Sequence, residues 1–302
     1  MSLTTCPACL SSHIIPFSPY RFGQKGGDYL PAGYQLLVCS TCGLWFKDDL
    51  PSEERLKHHY ESLDVEVSHW NYSERLPHEQ KLDEILSNLP DTSKVLDIGC
   101  WTGRLLAPHY PRLKVSGIEP NASAATVAKE NGLHILGSEV KDNLSSLGSF
   151  DCITMVDVFE HLRAPMQTLS YLVSALSPNG RLLIVTGRTD CFPVWLIGSS
   201  YWYFCCSDHL VFLNRRFANW LQENMLEVKV NYYPIRHFDF KPSQFLYEFA
   251  WLLSWRFFSP HSPFPKPILH QLPGLKRFER LRDPLVCGMW KDHALIEIRR
   301  IA

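Results

Sequence analysis

The chain has 302 residues, of which 45% are hydrophobic and 20% are charged. This length and composition fit a globular protein with one large domain and one or two small ones. Lys and Arg (30) nearly balance Asp and Glu (31), so the net charge argues against nucleic acid as a partner. The sequence shows neither a charged-then-apolar leader nor a run of about 20 apolar residues, which predicts a cytoplasmic protein without a membrane span.

Two Cys-x-x-Cys pairs lie in the first part of the chain. In a reducing cytosol, such pairs bind metal more often than they form disulfides. Each pair presents two thiolates on a tight turn, and four sulfurs complete a tetrahedral site that suits structural zinc. We therefore predict a zinc ribbon over residues 1–47 with a hairpin at 20–34; redox-active or coincidental cysteines are the alternative. The predicted ligands are Cys6, Cys9, Cys39 and Cys42.

Residues 48–90 are predicted to form a charged helical linker or lid. The stretches SEERLKHHYESL and HEQKLDEILSNL carry leucines at helical spacing. Tyr60 and Tyr72 either close over a ligand as parts of a lid or serve as packing residues, and packing is the preferred interpretation.

From Lys94 onward, short apolar strands alternate with helical segments, the pattern of a parallel sheet that helices cover on both faces. The sequence thus predicts an α/β domain with a seven-stranded sheet over residues 91–233 and 288–302, interrupted by an insertion at 234–287. The predicted strands are 94–98, 113–118, 133–136, 150–156, 180–186, 226–233 and 293–301, and the predicted helices are 104–110, 122–130, 162–176 and one that starts at Asn214.

The stretch VLDIGCWTGRLL, residues 95–106, combines a strand end at Asp97 with a glycine-containing turn and an expected helix start near Gly103. Such a turn brings backbone N–H groups toward a ligand at the carboxyl edge of the sheet. Twenty residues after Gly99, Glu119 ends the second strand, where an acid can accept both ribose hydroxyls of a nucleoside cofactor. An arbitrary turn followed by a surface glutamate is the alternative.

These residues resemble the first motif of class I S-adenosylmethionine-dependent methyltransferases, Asp/Glu-x-Gly-x-Gly-x-Gly. Asp97, Gly99 and Gly103 match it, and Trp101 stands where many members have the middle glycine. The resemblance covers about residues 90–230 and the last strand, and it implies a Rossmann-like fold that binds S-adenosylmethionine. The cofactor-binding residues that it implies are Asp97, Gly99, Cys100, Gly103, Glu119, Pro120, Ser138, Val156 and Asp157.

The segment Asp157-Val-Phe-Glu160-His161 follows the fourth predicted strand and therefore lies at the carboxyl edge of the sheet. His161 is a candidate general base, because an unperturbed imidazole pKa of about 6.5 suits proton removal near neutrality. A resemblance to the Glu-x-x-Glu-His pattern of ubiquinone-pathway O-methyltransferases implies an alternative, in which Asp157, Glu160 and His161 coordinate Mg²⁺. In the plainest alternative, Glu160 and His161 only cap the next helix and line the pocket.

A second acid–histidine pair, Asp208-His209, follows the fifth predicted strand and belongs to the same edge. A zinc ribbon ahead of such a domain resembles the deoxysugar C-methyltransferases, in which an acid–histidine pair at this place serves the substrate; Asp208 stands where that family has Glu. Otherwise His209 is an ordinary residue at a helix entry. The predicted catalytic residues are His161, His209, Glu160 and Asp208.

The insertion contains the most apolar segment, residues 243–265, in which aromatic and leucine side chains recur at helical spacing. Three interpretations remain open: packing against the edge of the sheet, a dimer face, and a surface for a lipid-linked or aromatic substrate. Packing or a dimer face is preferred. The residues that define this predicted helix are Phe245, Phe249, Leu252, Leu253 and Arg256.

Together these features predict transfer of a methyl group to an oxygen or carbon of a small molecule. A sugar or polysaccharide intermediate, possibly nucleotide-linked or lipid-linked, is the preferred acceptor. A nicotinamide dehydrogenase is disfavoured, because it prefers a further glycine at Leu105 or Leu106. An rRNA methyltransferase with a zinc module and a non-catalytic adaptor with a degenerate methyltransferase fold remain alternatives. The former is expected to show clustered Lys and Arg, and an Asn-Pro-Pro-Tyr motif is missing.

Overall fold

The computed structural model describes residues 3–17, 22–23, 33–66, 75–140, 148–225, 227–236, 238–258 and 289–301. The predictions for Tyr72, for most of the hairpin at 20–34 and for residues 259–287 of the insertion lie outside these ranges.

Helices and strands alternate through most of the described chain. The helices are α1 (Glu53–Glu61), α2 (Pro77–Ser87), α3 (Ala122–Glu130), α4 (Pro165–Ser174), α5 (Phe192–Ile197), α6 (Trp202–Cys205), α7 (Arg215–Asn224) and α8 (Pro242–Phe258). The strands are β1 (Ile14–Pro16), β2 (Phe22–Gly23), β3 (Gly33–Tyr34), β4 (Leu36–Cys39), β5 (Trp45–Lys47), β6 (Lys94–Ile98), β7 (Lys114–Ile118), β8 (His134–Gly137), β9 (Phe150–Val156), β10 (Leu176–Gly187), β11 (Val211–Phe212), β12 (Val228–Ile235) and β13 (His293–Arg300).

The large sheet has seven strands in the order β12-β13-β10-β9-β6-β7-β8. Neighbouring strands from β8 to β10 pair in parallel, whereas β13 runs antiparallel to both β10 and β12. This arrangement confirms the predicted Rossmann-like α/β fold. Because β13 is reversed, its first residue, His293, pairs with Gly187 at the end of β10 and lies at the carboxyl edge of the parallel strands.

Apolar residues of each central strand point alternately to two cores, one on each face of the sheet. In β6, Leu96 belongs to a cluster with Leu169 of α4 and Phe217 of α7. Its neighbour Val95 belongs to a cluster with Leu82 of α2 on the other face. Burial on both faces explains why these strands read as continuous apolar runs in the sequence.

The helix predicted at 104–110 is wrong. The structure has turns up to Leu106 and then a single 3₁₀ turn, Ala107–His109. An α-helix there would require Pro108 to donate an N–H to the carbonyl of Arg104, and proline has none. That carbonyl instead accepts a hydrogen bond from the Arg75 guanidinium, at 3.2 Å.

Helix α7 begins where the sequence predicts. The Asn214 side chain accepts the Phe217 N–H at 2.9 Å, which satisfies one of the donors left free at a helix start. The same side chain donates to the Gly43 carbonyl at 2.8 Å. The cap therefore also attaches α7 to the turn of the second cysteine pair.

The N-terminal strands form a second sheet in the order β1-β4-β5-β11. Its fourth strand comes from the segment between α6 and α7, with Val211 opposite Phe46 and Phe212 opposite Trp45. The buried Cys42 side chain packs into the same apolar cluster as the core of the large sheet. The sheet of the predicted ribbon thus includes residues beyond the 1–47 boundary.

The four N-terminal cysteines converge on one point. The Sγ atoms of Cys6 and Cys42 lie 3.6 Å apart, and those of Cys9 and Cys39 lie 3.4 Å apart. These distances exceed a disulfide bond of about 2.05 Å and approach the roughly 3.8 Å expected between sulfurs around tetrahedral zinc. Gly43 adopts a left-handed φ of 82° that closes the second turn. The geometry fits the predicted zinc ligands.

Helix α8 confirms the helical part of the insertion. Leu252 is fully buried, and Trp251 packs with it in a cluster that contains Val194 of α5. On its other faces, Leu246 and Tyr247 are exposed. None of the helices in the described part of the chain has the length and hydropathy needed to cross a bilayer.

We expect protein purified in a reducing buffer to contain about one zinc per chain. Replacing Cys42 with Ser should release it, because three sulfurs remain and the tetrahedral set is broken. A chelator should also lower the melting temperature, since metal-binding free energy contributes to folding. Metal analysis and thermal unfolding test this, with Cys205→Ser, outside the cluster, as the control. Full zinc retention in Cys42→Ser would contradict the assignment.

Candidate active site

A cavity of about 300 Å³ opens at the carboxyl edge of the large sheet. Residues that follow β6, β7 and β9 form much of its wall, together with residues from α1 and α2. Two buried polar atoms at this wall, Tyr60 Oη and Asp157 Oδ1, have no hydrogen-bond partner among the described residues. Such atoms are expected where a polar ligand belongs. The predicted cofactor-binding residues that line the cavity are Asp97, Gly99, Cys100, Glu119, Pro120, Val156 and Asp157.

The loop after β6 has three residues in the left-handed region: Gly99, Trp101 and Gly103, with φ of 68°, 47° and 77°. A Cβ on Gly99 would lie 2.6 Å from a methyl carbon of Val158, so both backbone and space require glycine there. Trp101 occupies the middle position despite its bulk. Its N–H donates to Glu119 Oε2 at 2.8 Å, which helps to stabilise an unfavourable backbone conformation.

Glu119 is buried at the end of β7, and burial raises the pKa of its carboxyl. Oε1 accepts the Asn121 N–H at 2.8 Å, and Oε2 accepts that of Trp101. Each carboxylate oxygen has a further lone pair. The side chain is therefore held rigidly and can still accept hydrogen bonds from two neighbouring hydroxyls.

Asp97 lies beside it and is 4% exposed. The Thr154 hydroxyl donates to Asp97 Oδ1 at 2.7 Å, but burial dominates and raises the pKa of Asp97 to about 7, with Glu119 contributing in the same direction. Two acids so close together in a buried wall favour a ligand that carries positive charge.

Two predicted cofactor residues do not line the cavity. Gly103 is buried beneath the loop, where an added Cβ would lie 2.8 Å from Leu133, so its role is close packing. Ser138 is exposed beyond β8. Sequence spacing does not show that Gly103 packs against Leu133 and Ala128, nor that Ser138 is exposed to solvent.

Glu160 is 1% exposed and does not line the cavity. Its oxygens accept hydrogen bonds from the hydroxyls of Tyr203, at 2.5 Å, and Thr186, at 2.8 Å. Burial alone would raise the pKa of Glu160, but nearby His161 and His209 outweigh it and the pKa is lowered. Glu160 is thus an ionised buried anchor, and the structure does not place it where it could touch an acceptor in the cavity.

His161 is the predicted catalytic residue that reaches the cavity wall. Its Nδ1 lies 2.9 Å from the Asp208 carbonyl oxygen. A carbonyl only accepts hydrogen bonds, so Nδ1 carries the proton and Nε2 of the neutral ring has the lone pair. Tyr60 contacts the ring edge-on, with centroids 5.7 Å apart. The ring is therefore fixed in the tautomer that a general base needs.

His209 lies next to His161, with ring centroids 5.0 Å apart, but it does not line the cavity. Its Nδ1 is 2.9 Å from the Tyr203 carbonyl oxygen. Burial lowers the pKa of His209 to about 4, so the ring stays neutral near pH 7. The structure therefore does not place His209, a predicted catalytic residue, in the wall of the cavity.

Asp208 supports the imidazole of His161. Its Oδ2 lies 3.6 Å from His161 Nδ1 and 3.9 Å from His59 Nε2. Burial would raise the pKa of Asp208, but His161 and His209 outweigh that effect and lower it to about 2. A permanent carboxylate at this distance favours the cation that His161 forms on taking a proton.

The Mg²⁺ alternative finds little support in these contacts. Among the described residues, the candidate grouping at this edge is Glu160, His161 and His209, each with one ligand atom within 4.8 Å of the others, and Asp157 is outside it. Hydrogen bonds to Tyr203, to Thr186 and to two backbone carbonyls account for this cluster without a cation.

Sequence analysis missed several residues of the wall. His78 and Glu79 come from the first turn of α2, and Glu79 pairs with Arg104 of the loop. The N–H of Leu76 donates to Glu79 Oε2 at 2.7 Å. A glutamate at the third position of a helix is a sequence signal for such a bond, and Glu79 is the third residue of α2. Nothing in the local sequence indicates that this helix start faces the cavity.

Comparison with known proteins gives one family and several partial relatives. A family model described as "Methyltransferase domain" matches residues 70–248. The ubiquinone biosynthesis O-methyltransferase of Rickettsia felis is 28% identical over 149 residues, which are 46% of this chain and 61% of that protein. The tRNA U34 carboxymethyltransferase of Cellvibrio japonicus is 34% identical over 137 residues, 41% of this chain and 39% of that protein. The chain spans less than two thirds of the length of either relative.

Among solved structures, the plantazolicin methyltransferase BamL, in complex with a triazolic desmethylPZN analog and SAH, resembles the chain with a TM-score of 0.47. It is 16% identical, and the match covers 83% of this chain and 92% of that one. At this identity the likeness concerns the fold alone.

The site predicts that Glu119→Gln weakens binding of S-adenosylhomocysteine. Loss of a charged acceptor costs roughly 1.5–3 kcal/mol, equivalent to an increase in Kd of about 10- to 150-fold. Asp97→Asn should also weaken binding. Calorimetric titration measures this, and thermal unfolding shows whether the variant is folded. The exposed Glu84→Gln, on α2, is the control, and an unchanged affinity in Glu119→Gln would refute the ribose assignment.

Proposed function

We propose that this chain, which belongs to the methyltransferase-domain family, transfers the methyl group of S-adenosylmethionine to an oxygen of a small molecule. The observation that carries the proposal is one cavity whose wall includes both the rigid Glu119 carboxylate and His161 in its basic tautomer. The similarity to ubiquinone biosynthesis O-methyltransferases supports oxygen over carbon. A sugar or polysaccharide acceptor, nucleotide-linked or lipid-linked, stays a prediction.

S-Adenosylmethionine, when bound, supplies an electrophilic methyl group on a positively charged sulfur. The chain contributes orientation and charge. Glu119 would accept hydrogen bonds from the two ribose hydroxyls. The loop at Gly99 and Trp101 would enclose the neighbouring part of the cofactor. The acidic wall around Asp97 and Asp157 favours the cationic form of the donor over its neutral-sulfur product.

His161 would remove the proton from the acceptor hydroxyl through Nε2. As the imidazole becomes a cation, its Nδ1–H remains hydrogen-bonded to the Asp208 carbonyl, and the Asp208 carboxylate stabilises the new charge. His209 packs behind the ring and stays neutral, so it adds no competing positive charge. A base at the cavity wall increases the rate most when the acceptor oxygen and the methyl carbon are held close together in the cavity.

Two alternative functions, methylation of RNA and a non-catalytic adaptor, can be compared with this proposal. The similarity to a tRNA-modifying enzyme of Cellvibrio japonicus keeps RNA as a second acceptor class, although the balanced charge argues against it. A non-catalytic adaptor would not require a base whose tautomer is fixed at the cavity wall, and the buried, hydrogen-bonded Glu119 argues against a degenerate pocket.

The acceptor class can be tested by incubating the protein with S-adenosylmethionine labelled on the methyl group and a cell extract. Label should appear in low-mass compounds and survive ribonuclease treatment of the extract. Label in the RNA fraction would instead establish the second acceptor class. Absence of label from every fraction, in protein that binds S-adenosylhomocysteine, would overturn the proposed activity.

His161→Asn tests the proposed base. Asparagine retains an N–H that can donate to the Asp208 carbonyl but has no counterpart of Nε2. Turnover should therefore fall by roughly 10²–10⁴-fold while affinity for S-adenosylhomocysteine stays the same. Transfer of labelled methyl into the low-mass fraction and calorimetric titration measure the two quantities. The exposed His134→Asn is the control, and full turnover in His161→Asn would exclude this residue as the base.

A further inference from the structure

A buried cluster of Asp157, Asp292 and His293 lies at the same edge of the sheet as the cavity. His293 is the first residue of β13, and the side chains of His293 and Asp292 are 1% and 0% exposed. The cluster is separate from the pairing of His161 with Asp208. Local sequence patterns did not single out either Asp292 or His293.

Hydrogen bonds fix the orientation of His293. Its Nδ1 lies 3.0 Å from Asp292 Oδ1, and the other oxygen of Asp292 accepts the Tyr201 hydroxyl at 2.9 Å. An ionised carboxylate only accepts hydrogen bonds, so Nδ1 of His293 carries a proton. The other ring nitrogen, Nε2, then faces Asp157 Oδ1 at 3.9 Å.

Asp157 connects this cluster to the cavity. Its side chain lines the cavity and is 33% exposed, whereas Oδ1 is buried without a hydrogen bond from any described residue. Its backbone has a left-handed φ of 50° and is held by an N–H that donates to the Val185 carbonyl at 2.9 Å. A buried carboxylate oxygen without a donor is costly unless a cation lies beside it, and the imidazole of His293 is in position to be that cation.

We infer that Asp157 is a second proton acceptor of the cavity and that His293, held by Asp292, is a positioning residue that keeps Asp157 in its carboxylate form. The catalytic meaning of this inference rests on the proposed methyl transfer. When the acceptor hydroxyl lies against Asp157 and not against His161, its proton binds a carboxylate oxygen of Asp157, and the electron pair of that O–H bond forms the new bond from oxygen to the methyl carbon. The electrons of the breaking carbon–sulfur bond stay on sulfur.

Asp157 and His293 each shift the pKa of the other toward its charged form. Burial raises the pKa of Asp157 to about 7; Glu160 acts in the same direction and His293 opposes it. Burial would lower the pKa of His293, but Asp292 and then Asp157 outweigh it and the pKa is raised. The other ionisable groups that face this pair are His161 and Glu79 toward Asp157, and Glu160, Tyr203 and His78 toward His293.

His78 shields the pair on one side. Its ring is nearly parallel to that of His293, with centroids 6.5 Å apart and an interplanar angle of 8°. Burial lowers the pKa of His78 to about 3, and His293 acts in the same direction. Because this ring is neutral, it adds no positive charge beside His293.

The electrostatic coupling of His293 and Asp157 can be measured without an acceptor, by NMR titration of cofactor-free protein labelled in histidine side chains and in aspartate carboxyls. The His293 imidazole signal is identified by its loss in His293→Gln. In Asp157→Asn, the midpoint at which His293 loses its proton should fall by roughly 1–3 pH units, because an adjacent anion is removed. In His293→Gln, the midpoint of the Asp157 carboxyl should rise, because a neighbouring cation is removed.

The pair of His109 and Asp83 provides an internal control. These side chains contact each other at 2.8 Å, and His109 is equally part of the folded core, so its signal should not move in Asp157→Asn. Asp292→Asn supplies a second route if His293→Gln does not fold, and it should also lower the midpoint of His293. An unchanged His293 midpoint in both Asp157→Asn and Asp292→Asn would overturn the inference. Binding of S-adenosylhomocysteine to the same samples tests the proposed function separately.

Discussion

Parallel pairing of β6 with β7 and β9 is the constraint on which the site depends. Ile98 lies opposite Ile118 on one side and Met155 on the other, so the three strands end together. The acids that end or follow these strands, Asp97, Glu119 and Asp157, therefore meet at one cavity. A slip of one residue in either pairing would turn Asp97 to the opposite face of the sheet, and no local change in the loop could restore the site.

The N-terminal sheet adds a second constraint, on the segment that carries Asp208 and His209. The Lys47 N–H donates to the Leu210 carbonyl at 2.9 Å, and its buried ammonium donates to the Cys206 carbonyl at 2.5 Å. Burial lowers the pKa of Lys47 to about 8. Because strand β5 thus holds both ends of this segment, the cysteine cluster and the segment that carries Asp208 and His209 belong to one packed unit.

The parts of this structure that could be predicted from sequence are those determined by local patterns. The bounds of β6 and β9 match the prediction, because each is a short apolar run with clear ends. The cap at Asn214 and the acid at Glu119 were recognisable from residue type and spacing. The directions of the Glu160 and His209 side chains were not, because a position after a strand does not show whether a side chain faces the cavity or the core.

His293 illustrates why the remainder could not be predicted. Its place beside Asp157 results from pairing between strands more than one hundred residues apart in sequence. Only the reversed direction of β13 brings the start of this strand to the carboxyl edge. The same limit applies to His78, whose helix reaches the cavity through contacts of α2 with the loop at Arg104.

The position of β13 between β10 and β12 also bears on how the protein is made. Both neighbours leave the ribosome earlier, and each keeps an unpaired edge until residues 293–300 follow. Pairing of such distant segments is slow, and open strand edges recruit other chains. A nascent chain released just before β13 would thus be prone to aggregate instead of accumulating as a soluble, inactive enzyme.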